Sequence, residues 1–169
     1  MDAKDIFIEA MKFEEKIRDL YRSADAIVDD ERGRAIFRAL ADDEQAHVDF
    51  LNYGLQQLEK DQVIDATRLN SPIPTRKRIE ARIETMKAQI PERMLGDIKA
   101  VLNSALQLEK QTSAYYEDAC RKTTGEIRAI FEKFVEIEHR HEDVVQIELD
   151  HVLGCGMWFN FMEISLEVE

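Results

Sequence analysis

Two stretches of this chain are copies of each other, so any fold that houses it is built from paired units. Residues 34–51, RAIFRALADDEQAHVDFL, lie over residues 128–145, RAIFEKFVEIEHRHEDVV, at an offset of 94 with seven identities in eighteen positions. The segments ahead of them, FEEKIRDLYRSA (13–24) and LEKQTSAYYEDA (108–119), align at an offset of 95 and pair Glu14 with Glu109, Tyr21 with Tyr116 and Ala24 with Ala119. The one-residue change falls between helices, where a loop absorbs it. With 169 residues, two copies of one helical hairpin are enough for a single domain with its own core.

Periodicity predicts four long helices, over about 5–28, 31–58, 95–121 and 124–153. Asp29 and Asp30 are candidate caps of the second helix, and Thr123-Thr124-Gly125-Glu126 reads as a capping box with Thr123 as N-cap. Residues 61–93 join the hairpins and are too many for a bare loop. Pro72 and Pro74 break this stretch, and Ile79, Ile83, Met86 and Ile90 then recur at helical spacing, which predicts a short amphipathic crossover helix. The expected fold is all-α, a ferritin-like four-helix bundle of two repeated hairpins joined by a long crossover. It occupies residues 1–153, with 154–169 as a tail.

Each helix carries an inward stripe spaced by threes and fours. The stripes are Phe7, Ala10, Glu14, Ile17, Tyr21, Ala24, Val28; Phe37, Leu40, Glu44, His47, Leu51; Ile98, Leu102, Ala105, Glu109, Thr112, Tyr116, Ala119; and Ile127, Phe131, Phe134, Glu138, His141, Val145. The middle of every stripe holds a glutamate, and two add a histidine one turn later. Four carboxylates in a core are prohibitive unless they take protons, meet cations or bind metal. No Lys or Arg stands on the stripes. Two divalent ions would offset four carboxylates, with two neutral imidazoles completing the set. Residues three apart share a helix face, so each Glu-x-x-His reaches one site. One Glu from each of two helices and Glu-x-x-His from the other two is the constellation of ferritin-like di-iron and di-manganese proteins. The expected metal ligands are therefore Glu14, Glu44, His47, Glu109, Glu138 and His141, with iron or manganese as the metal. A metal-free bundle with a protonated or hydrated polar layer is the alternative.

Composition narrows the rest. A net charge of −12 argues against general affinity for nucleic acid or an anionic membrane. The start, Met1-Asp2-Ala3-Lys4-Asp5, is too polar for a secretory signal, and no segment has the apolar length of a membrane span. Cys120 and Cys155 stand alone. A reducing cytoplasm is the expected location. Glu15, Glu136 and Glu142 fall off the stripes and read as solvated, and His139 and His151 as surface groups. Tyr21 and Tyr116 read as core packing, or as hydrogen-bond partners of ligand carboxylates and a local electron source.

With E14…Y21, E44-Q-A-H47, E109…Y116 and E138-H-R-H141 in place, the chain resembles the rubrerythrin branch of the ferritin-like superfamily over residues 5–153. The resemblance implies a non-haem di-iron site that reacts with peroxide or dioxygen, with Glu14, Glu44, Glu109, Glu138, Tyr21 and Tyr116 in its chemistry. Rubrerythrins commonly carry a rubredoxin domain, whose cysteines this sequence lacks, so an external donor such as a rubredoxin-type protein is expected. They also have a further glutamate one turn after the third-helix ligand, where this chain has Thr112. The remaining six-ligand set is similar to bacterioferritin-type ferroxidase centres. A ferroxidase feeding iron storage, an oxygenase and a metal-free binding module are the rival functions.

The tail alternates Met162, Ile164, Leu166 and Val168 with polar residues, which reads as an edge strand or interface segment. Trp158, Phe159 and Phe161 are poor solvent-exposed residues, so the tail is expected to cap the bundle or cross onto a second subunit of a homodimer.

Overall fold

The computed structural model describes residues 2–81, 87–159 and 161. Four long helices form the bundle: α1 (Ala3–Ile27), α2 (Glu31–Glu59), α4 (Leu95–Lys122) and α5 (Gly125–Cys155). A five-residue α3 (Arg76–Glu80) lies in the crossover, and β1 (Lys87–Gln89) pairs antiparallel with β2 (Met157–Phe159). The hairpins α1–α2 and α4–α5 pack internally, and α1 meets α4 across the bundle. Alanines on the α1 and α4 stripes (Ala10, Ala24, Ala105, Ala119), all buried, allow those two backbones to approach. This is the all-α, ferritin-like bundle with a long crossover that periodicity predicts.

Every stripe residue named above is buried except Ile127, which is partly buried. Two apolar clusters flank the polar middle. One holds Tyr21, Phe37, Leu40, Leu102, Val145 and Trp158, and the other Phe7, Leu51, Tyr116, Phe131 and Phe134. Low dielectric on both sides makes the layer between them costly unless its charges are compensated.

The ends of the helices differ from expectation in two places. Asp30 is the N-cap of α2, its side chain accepting Gly33 N–H at 2.8 Å. At α5 the N-cap is Thr124 without a side-chain bond, not Thr123, whose hydroxyl instead donates to Ala119 O on α4 at 2.8 Å. The expected capping box is therefore absent. One does form at Asp2 and Asp5. The crossover also departs from the single amphipathic helix. α3 stops at Glu80, and residues 87–89 are extended because they find a strand partner in residues 157–159. Local periodicity cannot see that long-range pairing. Ile79 and Ile90 are buried as the spacing requires, while Ile83 and Met86 lie outside the described residues.

The tail returns onto its own bundle. Gly156, in the left-handed region at φ 64, ends α5, and β2 follows. Trp158 packs edge-on against Phe37 with ring centroids 5.8 Å apart, and its indole N–H donates to Asp30 Oδ2 at 2.7 Å. A Cβ on Gly33 would come within 2.5 Å of the indole, so only glycine fits beneath it. Trp158, Phe159 and Phe161 are all buried within one chain, which removes the exposed aromatics on which the homodimer was argued. The alternating stretch 162–169 lies outside the described residues.

Candidate metal centre

Glu14 on α1, Glu44 and His47 on α2, Glu109 on α4, and Glu138 and His141 on α5 converge midway along the bundle, each with no exposed surface. Glu14, Glu44, His47 and Glu138 offer ligand atoms that all lie within 4.8 Å of one another, and so do Glu44, Glu109 and His141. Glu44 belongs to both of these groups and so could be shared by two ions, while Asp43, His47 and His141 form a third group on the outer side of the imidazoles. His47 Nδ1 lies 3.1 Å from Glu44 Oε2, 3.3 Å from Glu14 Oε2 and 3.5 Å from Glu138 Oε1. His141 Nδ1 lies 2.7 Å from Glu44 Oε1 and 3.7 Å from Glu109 Oε1. The two imidazoles stack, centroids 5.3 Å apart, and turn their Nδ1 edges to the carboxylates.

The tyrosines are crossed between hairpins. Tyr21 on α1 donates its phenol proton to Glu109 on α4, and Tyr116 on α4 donates to Glu14 on α1. Each also packs: Tyr116 stacks on Phe134 at 4.5 Å and Tyr21 on Phe37 at 6.3 Å. Packing and carboxylate bonding are thus one role. Thr112 is buried, but its hydroxyl donates back to Leu108 O at 2.9 Å on its own helix.

Burial dominates the electrostatics. It pushes the Glu44 carboxyl up to about 8, with Glu109 and Glu14 adding to the rise against the pull of His141. Burial raises Glu138 well above the usual carboxylate range, and Glu14 and Glu44 raise it further. Burial also pushes Glu14 up, but the charge and bond of His47, with bonds from Glu44 and Tyr116, together hold that carboxyl low. Burial would lower both imidazoles, yet Glu14 beside His47 and Glu44 beside His141 hold them well above their usual range. Both phenols are raised by burial and then by the carboxylates they serve. These shifts favour protons where cations would otherwise sit. They do not satisfy the site. Both oxygens of Glu138 and Oε2 of Glu109 are buried with no hydrogen-bond partner. Buried polar atoms are rarely left so. Four carboxylates and two imidazoles suit iron or manganese.

The off-stripe residues fall elsewhere. Glu15, Glu136 and His139 are exposed, and Glu142 and His151 half-buried. Two inward acids escaped the sequence reading. Asp43 is buried, 2.7 Å from His141 Nε2, and accepts the Ser71 hydroxyl at 2.6 Å. Burial pushes its carboxyl up, but the bond and charge of His141 hold it below the usual range. Its signal lay in the repeat, where Asp43 falls on Ile137, an apolar and hence inward position. Glu148 continues the α5 stripe past Val145, is fully buried, and accepts Phe159 N–H at 2.8 Å. Burial raises its carboxyl well above the usual range.

No curated protein and no solved structure matches the chain. No helix among the described residues is long and apolar enough to cross a membrane. A family model described as Rubrerythrin matches residues 5–149, a span that contains all six converging residues and both tyrosines. The chain belongs to the rubrerythrin family of ferritin-like di-iron proteins.

Proposed function

We propose that this chain is a non-haem di-iron oxidoreductase that reduces peroxide, or dioxygen, with electrons from an external donor such as a rubredoxin-type protein. Glu14, Glu44, His47, Glu109, Glu138 and His141 are the ligands of two ions, with iron favoured over manganese by the family. The observation that carries this reading is Glu138. Neither of its two buried oxygens has a hydrogen bond, Oε1 lies 3.5 Å from His47 Nδ1, and the side chain shares a ligand cluster with Glu14, Glu44 and His47. Bound there, two ions supply Lewis acidity and the electrons that cleave an O–O bond.

The chain's own residues hold that site in place. Tyr21 and Tyr116 keep Glu109 and Glu14 oriented by donating to one oxygen of each, which leaves the other oxygen for a metal. Their phenols are the nearest protons to those carboxylates and the nearest oxidisable side chains. Phe134, against both His47 and Tyr116, and Phe37, against Tyr21, exclude water from either end of the polar layer. A ferroxidase is the second reading, favoured by Thr112, which stands where rubrerythrins have an additional glutamate and spends its hydroxyl on Leu108.

Stopped-flow oxidation of the di-ferrous protein decides between them, read with the iron count and native mass. A peroxidase re-oxidises faster with hydrogen peroxide than with dioxygen, holds two irons per chain and stays a small oligomer. Dioxygen outpacing peroxide, with many irons per chain in a large shell, establishes the ferroxidase. Saturation at one ion or fewer removes the dinuclear reading.

A further inference from the structure

We infer that Asp43 and Ser71 make the two metal positions unequal, so that the ion held by His141 binds first and tightly and the ion held by His47 second and more weakly. This rests on the six-residue metal reading above. Asp43 lies one residue before Glu44 on α2 but reaches across to α5, where its Oδ2 stands 2.7 Å from His141 Nε2. The Ser71 hydroxyl donates to the same oxygen at 2.6 Å, and Ser71 Oγ in turn accepts Ile73 N–H at 3.2 Å. The crossover thus fastens Asp43, and Asp43 fastens the imidazole. With the Nε2 proton shared with Asp43, it is Nδ1, facing Glu44 and Glu109, that gives up its proton when a metal binds. A carboxylate on the far nitrogen sets the tautomer, fixes the ring and raises its strength as a ligand.

His47 has no such support. Its Nε2 is buried without a hydrogen-bond partner, and Asp43 Oδ2 is 3.8 Å away, beyond reach. The repeat explains why. Laying α2 on α5 puts Ile137 where Asp43 stands, so the residue that would face His47 Nε2 by symmetry carries no acceptor. To bind a metal through Nδ1, His47 must bury an unsatisfied N–H, which opposes binding. Asp43 acts only through His141 and is a positioning residue.

The test is a Co(II) titration of the full metal-free chain, followed by visible absorption and calorimetry. The wild type takes up two ions in resolved steps. D43A weakens the first step by about 10- to 100-fold and leaves the second in place. D43N keeps the shape and one acceptor oxygen, so it loses less, which a packing role for Asp43 would not produce. I137D gives His47 its missing carboxylate and tightens the second step toward the first. If D43A fails to fold, S71A and I137D decide the matter. Two equal steps in the wild type overturn the inference, as does D43A weakening both alike. So does a third wild-type ion lost in D43A, which would make Asp43 a ligand with the Nε2 atoms of His47 and His141. A wild type that takes up no Co(II) sinks the six-residue reading itself.

Discussion

The hairpins α1–α2 and α4–α5 present matching residues to the middle of the bundle and different residues behind them. Glu14 and Glu109, Glu44 and Glu138, His47 and His141, Tyr21 and Tyr116 stand as pairs, and the tyrosine bonds cross symmetrically between halves. One layer out, Asp43 supports His141 while its counterpart Ile137 offers His47 nothing. Further along, Gly54 on α2 lies against the Phe7 ring, whereas its counterpart on α5 is the buried Glu148 that anchors the tail. Duplication thus accounts for the matched converging residues. On the proposed metal reading, divergence behind them accounts for any inequality between the two ions, because packing and hydrogen bonds tune groups that charge alone makes equivalent.

The most severe way to break the symmetry is to delete one of a ligand pair. E44A and E138A should each abolish two-ion stoichiometry, E44A more completely because Glu44 belongs to both groups. Metal analysis after iron loading reads this, with E15A as the control on the exposed face. Loss of metal in E15A instead would mean the helix faces are misassigned.

Removing the metals exposes the shared charge problem of both halves. Glu44, raised from 4.5 to about 8, contributes stability that is complete at acidic pH and is lost as pH climbs through that interval. Glu138, His47 and His141 are raised as well, so their contributions are lost in the same direction. Glu14, held low, opposes only on the acidic side, where its contribution is lost as pH falls. The apo protein should therefore lose on the order of 3 kcal/mol or more between pH 5 and 8. The metal-loaded protein should not. Thermal melts of both forms across this range check it, and a flat apo profile would contradict the burial of the site.

The crossed tyrosines allow a gentler test of equivalence. Y21F and Y116F each leave one buried carboxylate oxygen without its donor, at a cost of about 1–3 kcal/mol in denaturant melts. Equal losses would show that the halves are matched at this layer. A larger loss in Y116F would point to its closer stacking on Phe134. The smallest effect belongs to E148Q. A carboxyl held protonated by burial and a glutamine carbonyl can both accept Phe159 N–H, so stability at neutral pH should change by less than about 1 kcal/mol. A large loss would show that Glu148 is ionised.

The repeat, the four helices and the six converging residues were legible in the sequence, because helical periodicity states which side of each helix faces inward and the repeat checks the register. Periodicity assigns a residue to a face but not to a partner on another helix. That is why Tyr21 could be placed inside but not joined to Glu109, and why Asp43, at the edge of its stripe, went unnoticed until α5 was set beside it. Local pattern misreads the crossover, and leaves the tail between capping the bundle and meeting a second subunit, for a related reason. Residues 87–89 become a strand only because residues 157–159 lie alongside, and the tail aromatics are buried because Gly33 and Phe37 leave room for Trp158. Local sequence determined the four bundle helices and the chemistry they point inward. Tertiary structure decided which groups meet, since backbone pairing and side-chain contact between distant segments depend on distances that no local pattern records.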